Sequence, residues 1–282
     1  MKVCFLLGYP VSHSMSAVMH NAAFQELELD YRYKLKSVPP DELGALVASE
    51  LRRNEYAGGS ITIPHKLAIM EHLNGIDSSA LRIGAVNTIV NEDGWLKGYN
   101  TDGIGALRGI TEVYGNVKDA RVVIAGAGGA ARAVGYQLST VVQELTITNR
   151  TMDRAEELAV SLSANPECRG TVRSIPFERD SLRVAIEDAD ILVNGTPLGM
   201  HPKTDETPIP IEVLHPDLLV FDLVYNPIRT RLLREAERVG AAILSGVNML
   251  VYQGVVAFKM WTGIDPPVET MKTAVLGALG GE

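Results

Sequence analysis

Residues 121–133, RVVIAGAGGAARA, run from a β-branched stretch into a glycine-rich turn and on into alanine-rich sequence. Val122, Val123 and Ile124 suit a strand buried on both faces of a parallel sheet, and Ala130 to Tyr136 are good helix formers. The stretch reads as strand, tight turn, helix, which commits this half of the chain to an α/β fold. Gly126, Gly128 and Ala131 have a spacing in which each residue has a task. The first glycine permits the turn, the second lets backbone approach a pyrophosphate, and the small third residue lets helix pack on strand. The anion would rest on free N–H groups at the helix N-terminus. Taken alone, such a turn is also simply a turn after an apolar run.

The next predicted strand, Leu145 to Thr148, ends in Asn149-Arg150-Thr151, with Arg154 one helical turn on. An acidic residue at this point would bind the ribose 2′-OH of NAD. A guanidinium and hydroxyls suit the 2′-phosphate of NADP, which is the expected cofactor. The alternative makes Arg150 and Arg154 solvated charges at a helix start, where cations oppose the dipole.

A chain of 282 residues is long for one core and suggests two domains of ordinary size, which its 46% hydrophobic content can fill. A net charge of −8 and the lack of any Lys/Arg run argue against a nucleic-acid or acidic-membrane partner. Cys4 and Cys168 are too few for a disulfide framework, and the six histidines lack metal-ligand spacing, so no metal is expected. Val3 to Leu7 is too short for a signal segment and no stretch reaches membrane-span length, so a cytoplasmic protein is expected.

Along the chain, Val3 to Leu7 reads as a strand and Ser16 as the cap of the helix that follows, although a Ser14/Ser16 pair also makes a seat for a carboxylate. Strands are expected at Asp30 to Leu35, Gly58 to Ile63 and Gly84 to Val90, and helices at Asp41 to Arg53 and Leu67 to Leu73. Pro64 ends the third strand and delivers Lys66 to a sheet edge or cleft, where by itself it reads as a surface lysine. Asp102 precedes a helix from Ile104 to Tyr114 and by itself reads as its N-cap. Beyond Arg150 the α/β alternation continues, and a strand at Ala241 to Leu244 completes a parallel sheet of five or six strands.

Together the polar clusters resemble the shikimate dehydrogenase family over nearly the whole chain. The resemblance rests on His13, Ser14 and Ser16; Thr62 to Lys66; Gly84 to Thr88; Asn100 to Gly103; GAGGAARA; Asn149 to Thr151; Asn194 to Met200; and Gly246 to Gln253. It implies a two-domain α/β fold, an N-terminal substrate domain and a Rossmann-like, doubly wound NADP-binding domain with the active site in the cleft between them. It also implies NADP-dependent interconversion of 3-dehydroshikimate and shikimate in aromatic amino-acid biosynthesis. Lys66 and Asp102 fall at the catalytic positions, Ser14, Ser16 and Tyr225 at the substrate carboxylate, and Thr62, Asn87, Asp102 and Gln253 around the ring hydroxyls. On the cofactor side the resemblance covers Gly126, Ala127, Gly128, Gly129 and Ala130, then Asn149 to Arg154, and with them Thr196, Leu223 and Gly246. The chain departs from the family pattern at Ser60, usually Asn, and at Ala17, usually Pro.

The expected substrate domain spans 1–103, completed by C-terminal helices over 247–282, and the NADP domain spans 104–246. That completion follows from Val247, Leu250, Val251, Val255 and Phe258, which recur at helical spacing after the parallel sheet is finished and need a surface to cover. If their helix returns to the N-terminal domain, Gln253 comes near Lys66 and Asp102. Which of Lys66 and Asp102 carries the proton is open at this level. The partner expected is shikimate or 3-dehydroshikimate, with no nucleic acid, no membrane, and a homodimer left open. The rival readings are a quinate/shikimate dehydrogenase using NAD or both cofactors, and a non-catalytic NADP-sensing protein on the same fold.

Overall fold

The structure, a computed structural model, describes residues 1–280. The first elements are β1 (Lys2–Gly8), α1 (Ser16–Glu26) and β2 (Tyr31–Ser37). Ser16 is the first residue of α1 rather than its cap; its N–H donates to Ser14 Oγ at 3.3 Å. Where the pattern predicts one helix over 41–53, there is a 3₁₀ turn at Pro40–Glu42, then α2 (Leu43–Leu46) and a π turn at Val47–Leu51. Buried Leu43, Val47 and Leu51 are spaced by four, which drifts round a 3.6-residue helix; the wider final turn keeps all three on the core side.

β3 (Tyr56–Ile61), α3 (His65–Ala68), a 3₁₀ turn at Ile69–His72 and β4 (Gly75–Ile76) follow. Then come α4 (Ser78–Ile83), β5 (Thr88–Glu92), β6 (Trp95–Tyr99) and α5 (Asp102–Tyr114). The strand expected from Gly84 starts only at Thr88, because Gly84, at φ 72°, closes α4, which Asp77 caps by accepting from Ser79 N. These strands form a mixed sheet in the order β2-β1-β3-β5-β6-β4, with β5 antiparallel to β3 and β6 and the other pairs parallel.

The second half is regular. It contains β7 (Arg121–Ala125), α6 (Gly129–Ser139), β8 (Glu144–Asn149), α7 (Met152–Ser163), β9 (Thr171–Pro176) and α8 (Arg179–Glu187). After these come β10 (Ile191–Asn194), a 3₁₀ turn at Ile211–Val213, β11 (Leu219–Asp222), α9 (Arg231–Arg238) and β12 (Ala242–Ser245). The six strands are all parallel, in the order β12-β11-β10-β7-β8-β9. That is the doubly wound order, which reverses between β7 and β10, and ligands of such sheets bind beyond the strands' carboxyl ends at the reversal.

Two helices close the chain, α10 (Gly246–Thr262) and α11 (Val268–Ala278). The fold divides into two compact units, Met1–Gly105 with the stretch from Leu250, and Ala106–Met249. The boundaries expected after 103 and 246 lie slightly earlier, because the units part inside α5 and α10, continuous helices with no linker to mark the point.

α10 belongs to the first unit from Leu250 and packs tightly there. Trp261 Nε1 donates to Ile89 O at 2.9 Å, and a Cβ at Gly58 (φ 148°) would lie 2.7 Å from that same nitrogen, so only glycine fits beneath the indole. His20 of α1 is fully buried, its ring 4.6 Å from Tyr33, 5.1 Å from Trp261 and 6.2 Å from Phe258 between centroids. Neither ring nitrogen has a hydrogen-bond partner, and burial lowers its pKa from 6.5 to about 3. Across that interval the unfolded chain binds a proton that the native chain does not, so stability falls as pH drops below 6.5. The expected slope is at most about 1.4 kcal/mol per pH unit. Urea unfolding between pH 7 and 4.5 should show it, and His20→Leu should remove most of it. An unchanged slope in the variant would assign the acid sensitivity to other groups.

Candidate active site

In the first unit the polar residues lie after β3, just before β5, after β6 and midway along α10. Pro64 stops β3 and the chain turns into α3, anchored by buried His65, whose Nε2 lies 2.7 Å from Val38 O. Val86 N donates to Lys66 O at 2.8 Å and fixes the backbone of the lysine. Lys66 Nζ donates to Asp102 Oδ2 at 2.5 Å, with the two side chains 16% and 6% exposed. Asp102 opens α5 without capping it. Its N–H donates to Asn100 Oδ1, and its Oδ1 accepts from Asn87 Nδ2 at 2.8 Å. A nearly buried carboxylate is costly unless its lone pairs are filled, and Lys66 and Asn87 fill both oxygens.

Asn87 is the hub. Its Oδ1 accepts from Thr101 N at 2.8 Å and Thr88 Oγ1 at 2.9 Å, while its Nδ2 also reaches Thr101 Oγ1 at 3.0 Å and Gln253 Oε1 at 3.4 Å. Gln253 Nε2 donates to Leu250 O within its own helix, and Gln253 is 7% exposed. Lys66, Asp102, Asn87 and Gln253 thus share one network. Ser14 and Ser16 pair separately, their hydroxyls 3.2 Å apart, and half-buried Thr62 is fixed through its backbone to Leu7 and His65. Thr88, Asn100 and Thr101 were singled out in the sequence only as members of motifs; their part is to hold Asn87 and Asp102 in place.

In the second unit the loops at the strands' carboxyl ends stack on one another. Gly126, at φ 118°, donates its N–H to Thr148 O, and a Cβ there would lie 2.9 Å from Gly195 C and 3.2 Å from Thr196 N. Gly128 precedes α6, with Gly129 and Ala130 in its first turn and Ala127 buried in the turn before it. Arg150, Thr151 and Arg154 are exposed, and Asn149 Nδ2 donates to Thr151 O. Thr196 donates through N and Oγ1 to Asn194 Oδ1, at 2.9 and 2.7 Å. A Cβ at Gly246 would lie 2.4 Å from Leu223 O, so α10 starts directly against the loop that carries Leu223 and, further on, half-buried Tyr225. Among the described residues no group of three or more His, Cys, Asp or Glu is placed to hold a metal ion, and no helix is long and apolar enough to cross a membrane.

Three family models match the chain: the shikimate dehydrogenase substrate binding domain at residues 6–89, shikimate/quinate 5-dehydrogenase at 110–200, and the shikimate 5′-dehydrogenase C-terminal domain at 246–276. The shikimate dehydrogenase (NADP(+)) of Methanopyrus kandleri is 49% identical over 98% of this chain and 95% of its own length. The chain belongs to the shikimate dehydrogenase family. A crystal structure of a shikimate dehydrogenase in complex with NADP+ superposes with a TM-score of 0.91 at 43% identity, over 99% of this chain and 96% of that one. The Thermus thermophilus enzyme in complex with NADP(H) and shikimate gives 0.89 at 36% identity, over 99% of this chain and all of the other. The substrate-binding match of shikimate dehydrogenases includes Ser14, Ser16, Thr62, Lys66 and Asn87, and the C-terminal match includes Gly246 and Gln253. Asp102, Leu223 and Tyr225 fall outside all three matched segments.

The seat of Gln253 depends on a residue that sequence reading passes over. A Cβ on Gly105 would lie 2.6 Å from Gln253 N and 3.0 Å from its Cα, and backbone cannot swing aside as a side-chain tip can. Gly105→Ala should gain roughly 1 kcal/mol of helix propensity and lose about 1–3 kcal/mol to overpacking. The clash wins, and urea unfolding should show net destabilisation. A variant as stable as the parent would mean that α5 and α10 do not approach this closely.

Proposed function

We propose that this protein is an NADP-dependent oxidoreductase that interconverts shikimate and 3-dehydroshikimate, with the Lys66–Asp102 pair handling the proton. The observation that carries the reading is the network joining that pair to Asn87 and Gln253, which aligns an ammonium, a carboxylate and two amides in one partly sheltered spot. Such a set suits a polyhydroxylated ring, because amides and carboxylates together can both donate to and accept from vicinal hydroxyls. Thr62 adds a hydroxyl to the ring contacts, and Ser14, Ser16 and Tyr225 are assigned to the substrate carboxylate. A cytoplasmic location fits the free thiols of Cys4 and Cys168.

Bound NADP would supply the hydride acceptor for the carbinol carbon of shikimate. The residues of the second unit fit such a group. Gly126 and Gly246 keep side chains out of the loop surface, α6 offers its first-turn N–H groups, and Arg150 and Arg154 supply exposed cations for a 2′-phosphate. Thr196 and Leu223 line the same loops, and Asn149 and Thr151 flank Arg150.

As hydride leaves carbon, the alcohol proton must leave oxygen, and Lys66 accepts it on the lone pair of its neutral amine, becoming the ammonium that Asp102 balances. In the reverse direction the Lys66 ammonium hydrogen-bonds the ketone oxygen, draws charge toward it and returns the proton. Asp102 holds Nζ in place and balances its charge. Asn87 occupies the other carboxylate oxygen, so Asp102 has little freedom to turn away.

The direct test follows reduced nicotinamide by absorbance with shikimate and quinate, each paired with NADP and NAD; turnover should be highest with shikimate and NADP. Lys66→Ala should lower kcat by roughly 10² to 10⁴ with a modest change in KM, the range for a lost general acid/base. Near-normal turnover would remove Lys66 from the mechanism. Arg150→Ala should weaken NADP binding by about 1.5–3 kcal/mol and leave NAD nearly unchanged, since only the 2′-phosphate makes a charge-assisted bond there. Equal losses for both cofactors would assign Arg150 to the fold.

A further inference from the structure

Asp222, the last residue of β11, is fully buried, and no step of the reaction uses it. Its Oδ1 accepts from Asn194 Nδ2 at 2.9 Å and from Val224 N at 3.0 Å, and its Oδ2 accepts from Thr230 Oγ1 at 2.6 Å. Each donor belongs to a different piece of chain. Asn194 ends β10 and, through Oδ1, fixes both N and Oγ1 of Thr196. Val224 follows Leu223 in the loop after β11, and Leu223 N donates in turn to Asn194 O at 3.0 Å. Thr230 caps α9 by accepting from Leu233 N.

The links run on to the glycine-rich turn. Gly195 N donates to Ala125 O at 2.8 Å, and Gly195 and Thr196 press against the spot where Gly126 lacks a side chain. One carboxylate therefore sets the height of the loops after β10 and β11 together, and through them the surface facing the turn after β7. A buried charge is a poor choice for core filling, and burial pushes Asp222 up to about 6, yet an apolar side chain there would leave three donors unanswered. A rigid, multiply bonded acceptor is what it offers in exchange.

We propose that Asp222 is a positioning residue for the cofactor, a latch that holds Thr196, Leu223 and the Gly126 turn in register through Asn194, Val224 and Thr230. The proposal rests on the reading that these loops and Arg150 bind NADP. Asp222→Asn keeps the shape and an acceptor for Asn194 and Val224, but its amide cannot accept from Thr230 Oγ1. Thr230→Val removes the same bond from the other side, and Thr230→Ser retains it.

The test titrates purified full-length variants with NADPH, following nicotinamide fluorescence, with kcat at saturating NADP and shikimate and the thermal midpoint recorded alongside. Asp222→Asn and Thr230→Val should each raise the NADPH dissociation constant about five- to tenfold, the scale of one lost buried hydrogen bond, with kcat within roughly threefold. Thr230→Ser should stay within about twofold. If Asp222→Asn does not fold, the Thr230 pair decides. Parent-like NADPH binding in Asp222→Asn and Thr230→Val, with a lowered thermal midpoint and with Arg150→Ala weakened, would make the network a stability element and overturn the latch alone. Parent-like binding in Arg150→Ala as well would overturn the cofactor-site reading, and the latch with it.

Discussion

A carboxylate that is nearly sealed from water must have both oxygens answered, and much of the first unit is arranged to answer those of Asp102. Lys66 takes one and Asn87 the other. Both partners need fixed backbones to do so. That of Lys66 comes from the Pro64 break, the His65 anchor and the Val86 hydrogen bond; that of Asn87 comes from its N–H donating to Tyr99 O and its carbonyl accepting from Ile61 N, while Thr88 and Thr101 hold its side-chain oxygen. Breaking such a pair by removing one partner strands a buried charge, at a typical cost of about 3–5 kcal/mol. An ion pair this well held leaves the remaining ammonium protons free to meet a ligand while their donor stays in one orientation.

Chain return places the last member of the network. α10 begins against the Leu223 loop of one unit, and from Leu250 its residues belong to the other, where Trp261 covers Gly58 and Gln253 crosses Gly105. Both approaches are closer than any Cβ would allow. The glycine at 105 is therefore as much a part of the candidate site as its polar side chains, and the glycine at 58 seats the helix that carries Gln253. In the second unit, Gly126 and Gly246 give the same close approach to loops at the ends of parallel strands, and Asp222 ties two of those loops together.

The doubly wound half was the more legible part of the chain. Its central strands β7, β10 and β11 are apolar runs, and the glycine spacing of RVVIAGAGGAARA, joined to the later motifs, points to the turn that the structure places at the sheet's reversal. The first unit hid more. Asp77 and Gly84 bracket a short helix with ordinary capping residues, but the stretch from Gly84 to Val90, apolar apart from Asn87 and Thr88, reads as one long strand. The helix over 41–53 breaks up because its buried residues repeat every four positions, a spacing that reads as helical on paper and must be absorbed by a wider turn in space. Lys66 and Asp102 each had a bland reading when taken singly. Their pairing joins residues far apart in sequence, which no local periodicity reveals, and Asp222 carried no local signal beyond closing an apolar strand.

The central claim is that the Lys66 amine itself moves the proton of the substrate hydroxyl while Asp102 only holds it. The most direct measurement is chemical rescue: turnover of Lys66→Ala at saturating shikimate and NADP, with small primary alkylamines added in turn. The account predicts that rate returns in proportion to amine concentration and rises with amine basicity in the direction of shikimate oxidation, as Brønsted behaviour requires of an external base. A variant that binds shikimate normally yet gains nothing from any amine, while Asp102→Asn with Lys66 intact loses turnover just as severely, would make the carboxylate the proton carrier and contradict it.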